Sequence, residues 1–346
     1  MILAARLLLR LVQPVIAVAL AAALAGCFNS MQTVSEVTGA TMGSTYSIKW
    51  VNADGTPRTE TLHGEIEALL DDFDSEVSTW RDDSDLARFN ALPAGSCAEM
   101  PTSVLELVEL GHILFAESAG GFDLTVGPLL RLWGFHGGDG SQVVPDPAEL
   151  QATLENIGQR HLRIDGTQLC KSANVQVDVS AIAAGYAVDK VVDHLLSRGI
   201  NSYMVEITGE LKAAGRKPDN MPWKIAIEEP RDDQRMAHLI VALDGQAVST
   251  SGDYRNYFEY EGKRYSHTFD TSSGKPVMHE LAAVTVLHNS AAKADGLSTV
   301  LLVKGPEKGW VFALEHDIAA LFVVRKGTQF VSRATPTFTA LTQSEE

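Results

Sequence analysis

Hydroxyl, acidic and basic side chains are concentrated in residues 248–277, between short β-like runs. The two polar runs are Val248-Ser249-Thr250-Ser251-Gly252-Asp253 and Ser266-His267-Thr268-Phe269-Asp270. Between them, residues 258–265 predict a hairpin with Glu261-Gly262-Lys263 at its tip. Polar clusters at both ends of a hairpin predict a site for a polar, phosphorylated ligand. Ordinary turn chemistry accounts for the same residues equally well, because Ser, Asp and Gly dominate turns.

His267 and Asp270 are the candidate catalytic residues of this segment. They lie three positions apart, so on a regular strand their side chains would point to opposite faces. A bend at Ser273-Gly274 would bring the two side chains together. His267 could then activate an incoming hydroxyl or hold a phosphate. The alternative is a histidine that is hydrogen-bonded only to support the strand.

Two further acidic residues, Asp178 and Asp295, lie at predicted helices. Asp178 precedes a helix that begins near Ala181, and helix N-termini attract carboxylates and phosphates. A plain N-cap at Asp178 or Ser180 is the alternative. Asp295 precedes Thr299 by four residues, so both side chains project from one helix face. Their oxygens form part of a shell that suits Mg²⁺, although a solvated helix face has the same pattern.

Composition limits the classes of function. The chain has 346 residues, of which 45% are hydrophobic and 21% are charged, as in an ordinary globular protein. Its formal net charge is −16, and removal of residues 1–26, which hold two arginines and no acidic residue, would lower it to −18. Such a field repels nucleic acid, so no nucleic-acid partner is expected. An acidic protein that binds a pyrophosphate ligand needs a cation to neutralise it.

The first 26 residues have the pattern of a secretory signal. Arg6 and Arg10 form a basic region, and residues 15–25 are an unbroken apolar run that is too short for a spanning helix of about 20 residues. Leu24-Ala25-Gly26-Cys27 resembles a bacterial lipoprotein box, in which the cysteine is lipidated. A plain signal with an incidental cysteine is the alternative. We therefore expect an exported protein that faces the periplasm, is anchored to a membrane through lipidated Cys27, and has residues 27–38 as a tether.

The two remaining cysteines, Cys97 and Cys170, leave two possibilities open. An exported location permits a disulfide between them, and two buried thiols fit the sequence at least as well. The chain has no Cys-x-x-Cys or clustered Cys/His spacing, so a zinc site is not expected.

Hydrophobic periodicity predicts a mixture of helices and strands. Helices are predicted over residues 62–73, 84–90, 102–119, 148–154, 181–198 and 292–302. Strands are predicted over residues 45–51, 161–165, 168–170, 203–208, 224–228, 239–244, 282–288, 319–326 and 329–332. Because helices and strands do not alternate strictly, we expect an α+β fold with one catalytic domain over residues 39–340.

Five motifs together resemble those of the ApbE family, the flavin transferases that move FMN from FAD onto a protein threonine. In chain order they are Thr41-Met42-Gly43-Ser44-Thr45-Tyr46, Ser78-Thr79-Trp80 with Ser84-Asp85-Leu86-Ala87-Arg88-Phe89-Asn90, Gly121-Phe122-Asp123-Leu124-Thr125-Val126-Gly127-Pro128, Asp178-Val179-Ser180-Ala181-Ile182-Ala183-Ala184-Gly185-Tyr186 and Ala294-Asp295-Gly296-Leu297-Ser298-Thr299. The resemblance extends from about Gly39 to Phe338 and covers nearly the whole chain after the signal.

The resemblance implies a set of binding residues. The residues that would line the FAD site are Met42, Trp80, Gly121, Phe122, Asp123, Asp178, Ala184 and Phe269. Trp80 and Phe122 are aromatics suited to stacking on flavin or adenine rings, whereas Trp133 and Phe135 are assigned to the core. Magnesium would bind the Ala181 carbonyl and the side chains of Asp295 and Thr299.

The chain departs from the family pattern at four places, one of which is Asp270-Thr271-Ser272-Ser273-Gly274 in place of the usual Asp-Pro-x-Thr-Gly. Ala184 stands where relatives often carry Lys or Glu, and Ser298 stands where some carry a second Asp, so Ser298 would contribute weakly or through water. The usual Gly-Gly-Asp run is Thr208-Gly209-Glu210 in this chain.

The expected activity is Mg²⁺-dependent transfer of FMN from FAD to a threonine hydroxyl of an acceptor protein, with release of AMP. Membrane-associated electron-transfer subunits are the acceptors that the family suggests. Two alternatives are an FAD pyrophosphatase giving FMN and AMP, and a periplasmic lipoprotein that binds FAD without catalysis.

Overall fold

A computed structural model describes residues 32–53, 55–135, 144–231, 236–254, 257–327 and 329–343. The helices are α1 (Thr59–Val77), α2 (Asp85–Ala91), α3 (Thr102–Glu117), α4 (Gly127–Leu132), α5 (Pro147–Leu154), α6 (Ser180–Ser197), α7 (Ala291–Glu315) and α8 (Pro336–Gln343). The strands are β1 (Val34–Thr41), β2 (Ser44–Val51), β3 (Cys97–Glu99), β4 (Leu162–Asp165), β5 (Gln168–Lys171), β6 (Tyr203–Ile207), β7 (Glu210–Ala214), β8 (Trp223–Glu228), β9 (Ala237–Leu243), β10 (Ala247–Gly252), β11 (Tyr257–Tyr260), β12 (Lys263–Ser266), β13 (Phe269–Asp270), β14 (Lys275–Pro276), β15 (Leu281–His288), β16 (Ala319–Lys326) and β17 (Gln329–Ala334).

Eight strands form a central antiparallel sheet in the order β1-β2-β6-β7-β10-β15-β16-β17. Both faces of this sheet are covered by apolar side chains. On one face, α1, α3, α6 and α7 pack in the larger core. On the other face, the β8–β9 hairpin and α8 pack in a second core. The apolar run of β15 is buried along residues 281–287 because it meets both cores.

The sheet opens between β7 and β10. Those two strands pair only at Ala247↔Lys212 and Val248↔Leu211, after which β10 continues to Gly252 beside β15 alone. A third apolar cluster, formed by α4, α5 and residues of β11 and β13, lies outside the two main cores. The opening separates β7 from the Ser249–Gly252 part of β10 and provides the space in which a site can form.

The predicted α+β class is confirmed: the described chain is a mixed domain of helices and antiparallel strands. Helix α7 continues past the predicted end at residue 302 to Glu315, with a break at Gly305, where φ is 76° and Pro306 follows. Strand β1 includes residues 34–38, which the sequence assigned to a tether. Strand β7 and helix α8 were not predicted. The signal region and Cys27 lie outside the described residues.

Among the described residues, no helix is both long enough and apolar enough to cross a bilayer.

The hairpin predicted at residues 258–265 is present as β11–β12, with Glu261 and Gly262 at its turn. Trp133 is buried and donates a hydrogen bond to the Gly274 carbonyl at 3.0 Å, as a core position requires.

Cys97 and Cys170 form a disulfide, which resolves the alternative that the sequence left open. They lie opposite each other in the β3–β5 pair and are 73 residues apart in sequence. The bond therefore joins the two ends of a segment that contains α3, α4 and α5.

We expect reduction of the Cys97–Cys170 bond to lower the free energy of unfolding by roughly 4 kcal/mol, because the unfolded chain regains the entropy of a long loop. Denaturant unfolding of the oxidised and reduced protein measures the difference. The variant Cys97→Ala with Cys170→Ala is the control, since reductant should leave its stability unchanged. Equal stability of the two wild-type forms would show that the bond contributes nothing.

Candidate active site

A cavity of about 960 Å³ occupies the opening between β7 and β10. Its walls come from β6, β7, β8 and β10, from the first turn of α6, from α7 and from residues 121–123. Three predicted metal ligands, Ala181, Asp295 and Thr299, all line this cavity. Elements that are far apart in sequence therefore bring the predicted ligands together in one place.

A close contact between α6 and α7 shapes the floor of the cavity. A Cβ atom on Gly185 would lie 2.3 Å from the Ala291 carbonyl oxygen, so only glycine permits this approach of the two helices. The α7 N-terminus is also held by Asp189 on α6, whose carboxylate accepts hydrogen bonds from Ser290 Oγ at 2.8 Å and Ala292 N at 3.1 Å. The contact places Asp295 beside the first turn of α6.

The carboxylate of Asp295 is buried, with 7% of the residue exposed. Its Oδ2 accepts a hydrogen bond from the Gly185 amide at 3.1 Å. In a regular α-helix the Gly185 amide would donate to the Ala181 carbonyl. Any such helical bond here shares the Gly185 N–H with the Asp295 carboxylate. Burial and then repulsion from Glu210 raise the pKa of Asp295 well above its ordinary value, against the lowering effect of the Gly185 hydrogen bond.

A chain of hydroxyl groups continues from Asp295 into β10. Ser298 is completely buried, donates to the Asp295 carbonyl at 2.8 Å, and contacts Ser251 Oγ at 2.8 Å and Ser249 Oγ at 3.1 Å. Ser251 Oγ is 3.3 Å from Thr299 Oγ1. Ser251 and Thr299 line the cavity but Ser298 does not. Ser298 therefore holds the Ser251 hydroxyl in place from behind the cavity wall and does not face a ligand.

These donors suit a hard divalent cation. Asp295 and Glu210 interact as like charges in a buried place, and a cation between oxygen ligands would relieve that repulsion. Among the described residues, no three of His, Cys, Asp and Glu are grouped to hold a metal by themselves. Carbonyl and hydroxyl oxygens must therefore complete the shell, and Ala181 and Thr299 can supply them. This donor chemistry fits Mg²⁺.

The cavity is acidic. Its charged lining consists of Asp123, Glu206, Glu210, Glu228 and Asp295 against one lysine, Lys224, among the residues that the structure describes. An anionic ligand therefore needs the charge of a bound cation to enter this cavity favourably.

Only one of the three predicted aromatic FAD residues presents its ring to the cavity. Trp80 is 73% exposed and can stack on a flat ring. Phe122 and Phe269 line the cavity but are only 2% and 5% exposed. The Phe269 ring packs against Trp133 and Phe135, with centroid distances of 6.2 and 5.9 Å. Stacking by Phe122 or Phe269 is therefore excluded by burial, whereas Phe135, assigned to the core from sequence, reaches the cavity wall.

The carboxylate of Asp123 is used within the fold. Its Oδ1 accepts from Thr125 N at 2.8 Å and Thr125 Oγ1 at 2.6 Å, and its Oδ2 accepts from Gln159 N at 3.0 Å. Asp123 therefore holds the loop that contains Gly121 against the Gln159–His161 turn. Residues 121–123 still border the cavity, where their backbone can meet a ligand.

Asp178, Met42 and Ala184 are outside the lining of the main cavity. Asp178 accepts from Ser180 N at 2.9 Å and lines a second cavity of about 240 Å³ together with Arg131. Burial lowers the pKa of Arg131, and the nearby Asp178 opposes this shift. Met42 is in the β1–β2 turn with φ of 49°, and Ala184 precedes Gly185 on α6. Val179 is the N-cap residue of α6 and makes no side-chain cap hydrogen bond, so the N-cap alternative for Asp178 or Ser180 is wrong.

His267 and Asp270 have separate roles. His267 lines the cavity, with its ring 6.4 Å from that of Phe135. Asp270 does not line the cavity, and its carboxylate closes the following turn by accepting from Ser272 N at 2.9 Å and Ser273 Oγ at 3.1 Å. Burial raises the pKa of Asp270, but these hydrogen bonds outweigh it and hold the pKa below its ordinary value. The Asp270 carboxylate therefore serves this turn and does not face the cavity.

The sequence did not indicate that Glu210, Ser251 and strand β8 border the site. Glu210 was visible in the Thr208-Gly209-Glu210 run, and Ser251 was visible in the polar run before Asp253, but neither spacing indicates a contact with α7. Strand β8 was predicted, but its position on the cavity wall depends on the hairpin's packing against the sheet.

Comparison with known proteins places the chain in one family. The sequence model of the ApbE family matches residues 42–322. A Vibrio cholerae protein named FAD:protein FMN transferase is 42% identical over 316 residues, which cover 91% of this chain and 94% of that protein. A Haemophilus influenzae protein of the same name is 36% identical over 350 residues, covering 97% of this chain and 99% of that protein.

Solved structures give the same result. Flavinyl transferase ApbE of Pseudomonas stutzeri in its apo form is similar with a TM-score of 0.84 and 56% identity, over 90% of this chain and 97% of that chain. Flavin transferase ApbE of Vibrio cholerae has a TM-score of 0.82 and 39% identity, over 90% of this chain and 99% of that chain. Fold and site thus define an enzyme of the transferase class. The chain belongs to the ApbE family.

The close approach at Gly185 leads to a stability prediction. Gly185→Ala should lower the free energy of unfolding by roughly 1–3 kcal/mol, because the added methyl group forces α6 away from Ala291. Gly64→Ala on α1 is the matched control, since its added Cβ meets nothing within 4 Å and should stabilise by up to about 1 kcal/mol. Denaturant unfolding measures both, and equal effects of the two substitutions would contradict the packing argument.

Proposed function

We propose that the chain transfers the FMN part of FAD to a threonine hydroxyl of an acceptor protein and releases AMP, with Mg²⁺ bound at Ala181, Asp295 and Thr299. The observation that carries the proposal is that these three residues, from two helices far apart in sequence, line one cavity large enough for a dinucleotide. The relatives named FAD:protein FMN transferase support the choice of FAD.

In this proposal the cavity binds FAD with its pyrophosphate near Asp295 and an aromatic ring of FAD on Trp80. The threonine oxygen attacks the phosphorus on the FMN side, the bond from that phosphorus to the AMP oxygen breaks, and the threonine proton leaves to a base. His267 is the base that lines the cavity. When bound, Mg²⁺ supplies positive charge that neutralises the phosphate oxygens. The buried floor of the cavity excludes water around these groups.

The direct test incubates the purified chain with FAD, MgCl₂ and solubilised membrane proteins from a source strain that lacks this gene. Flavin fluorescence that stays with a protein band after denaturing electrophoresis, and mass spectrometry that maps FMN to a threonine, support transfer. Free FMN with no labelled protein would mean hydrolysis of FAD by water. Unchanged FAD would mean binding without catalysis.

We also propose that the protein is exported and anchored to a membrane through lipidated Cys27. The support is the basic and apolar pattern of residues 1–26 and the Leu24-Ala25-Gly26-Cys27 sequence. The Cys97–Cys170 disulfide agrees with this location, because disulfides persist in oxidising compartments such as the periplasm.

Asp295→Asn tests the cation site without relying on turnover. The amide keeps an acceptor for the Gly185 N–H but removes the charge, so the rise in melting temperature that MgCl₂ produces should disappear. In EDTA the variant should be at least as stable as wild type, because repulsion from Glu210 is gone. Lys293→Ala, an exposed position on the same helix, should keep the magnesium response. A full magnesium response in Asp295→Asn would remove the proposed site.

His267→Ala separates transfer from binding. FAD affinity should stay within a small factor of wild type, while flavinylation slows by about 10²–10⁴-fold, the usual contribution of a general base. The defect should lessen as pH rises, because hydroxide partly replaces the base. Asp270→Asn should change neither the pH profile nor FAD affinity markedly, since that carboxylate serves a turn. Parallel loss of FAD binding and transfer in His267→Ala would instead make His267 a binding residue.

A further inference from the structure

Strand β8 meets the cavity along its edge. Five consecutive residues, 224–228, line the cavity. Side chains of a strand alternate between two faces, so a cavity that met one face would contact only alternate residues. Contact with every residue in the run means that the backbone edge of β8 borders the cavity.

The hydrogen-bonding groups of this edge point toward the cavity. Within the described part of the chain, β8 pairs only with β9. The Glu229 amide donates to the Met236 carbonyl at 2.8 Å, which makes those two residues a hydrogen-bonded pair. The ladder shifts register between Ile227 and Glu228, where the extra residue lies on β9, so the alternation along β8 itself is unbroken. Hydrogen-bonded residues alternate along an antiparallel strand, so the N–H and C=O groups of Lys224 and Ala226 point away from β9.

We propose that this edge binds the acceptor protein: an extended acceptor segment adds to β8 as a third strand and brings its threonine into the cavity. This inference rests on the proposed transfer activity. An extended polypeptide presents N–H and C=O groups at the spacing of a strand edge, which FAD does not. The added strand would lie about 4.8 Å from β8, inside the cavity that also contains Asp295 and Thr299.

The geometry fits the needs of the reaction. Strand β8 packs on the sheet through Trp223 and Ile227, which are buried in the second core, so the edge is rigid. Ala226 is exposed, and its small side chain leaves room beside the edge. Specificity for a polypeptide acceptor then comes from main-chain hydrogen bonds, while the side chains of the segment select among acceptors.

Ala226→Pro tests the edge, because proline removes the N–H that points to the cavity and keeps the β8–β9 hydrogen bonds. Ala226→Val is the matched control, which adds bulk but keeps the N–H. The probe is the solubilised membrane protein from the strain lacking this gene, labelled with FAD and MgCl₂. For Ala226→Pro, the extract concentration that gives half-maximal labelling should rise about tenfold or more. FAD affinity and the maximal rate should match those of Ala226→Val.

The possible outcomes distinguish a failure of the docking edge from a failure of the transfer activity. Equal labelling by Ala226→Pro and Ala226→Val overturns the docking edge and leaves transfer intact. Ala226→Pro could instead weaken FAD binding and leave the extract concentration for half-maximal labelling unchanged. This result also overturns the docking edge, since the edge of β8 would then hold FAD. No labelled protein with wild-type enzyme overturns the transfer activity itself.

A second measurement serves if Ala226→Pro does not fold. Hydrogen exchange of the wild-type amides of Lys224 and Ala226 is followed with FAD and MgCl₂, with and without the labelled acceptor band purified from the extract. Slower exchange of both amides on addition of the acceptor supports strand addition. Unchanged exchange at a concentration that saturates labelling overturns it.

Discussion

A hydrogen bond between two helices fixes the site: the Gly185 amide on α6 donates to the buried Asp295 carboxylate on α7. The bond exists because Gly185 lets α6 approach the backbone of Ala291. It holds the Asp295 carboxylate beside the first turns of α6, where Ala181 lines the same cavity. The cost is a buried negative charge near Glu210, which raises the pKa of Asp295. The proposed cation would offset this charge.

The opening in the sheet provides the cavity on whose wall the proposed cation site lies. Because β7 and β10 separate after Leu211 and Val248, the cavity enters the sheet from the side where α6 and α7 meet. The lining is acidic, although the proposed substrate is an anionic dinucleotide. Binding of FAD should therefore depend on the metal more strongly than in a cavity lined by arginines, and the same acidic field excludes other polyanions. Strand β8 borders the same cavity along its edge, where the proposed acceptor segment would bind.

Much of the fold follows from local sequence patterns. The long helices α1, α3 and α6 have apolar periodicity that shows in the sequence, and β15 and β16 are continuous apolar runs because both sheet faces are covered. Strand β1 was assigned to a tether because its half-exposed residues mix polar and apolar types and its pairing with β2 is long-range information. The candidate metal ligands come from family motifs, and the structure places all three on the wall of one cavity. The hydrogen bonds of Asp123 and Asp270 and the burial of Phe122 could not be predicted from the sequence, because contacts within turns and packing in the core decide where those side chains point.

We propose that Ala181, Asp295 and Thr299 hold a divalent cation against the FAD pyrophosphate. A crystal structure of the chain with FAD and Mn²⁺, measured near the manganese absorption edge, would locate this cation. We expect one strong anomalous peak within bonding distance of the Asp295 carboxylate, Thr299 Oγ1 and the Ala181 carbonyl, with phosphate oxygens of FAD completing the shell. An anomalous peak elsewhere, or ordered FAD in the cavity with no metal at these three residues, would contradict it.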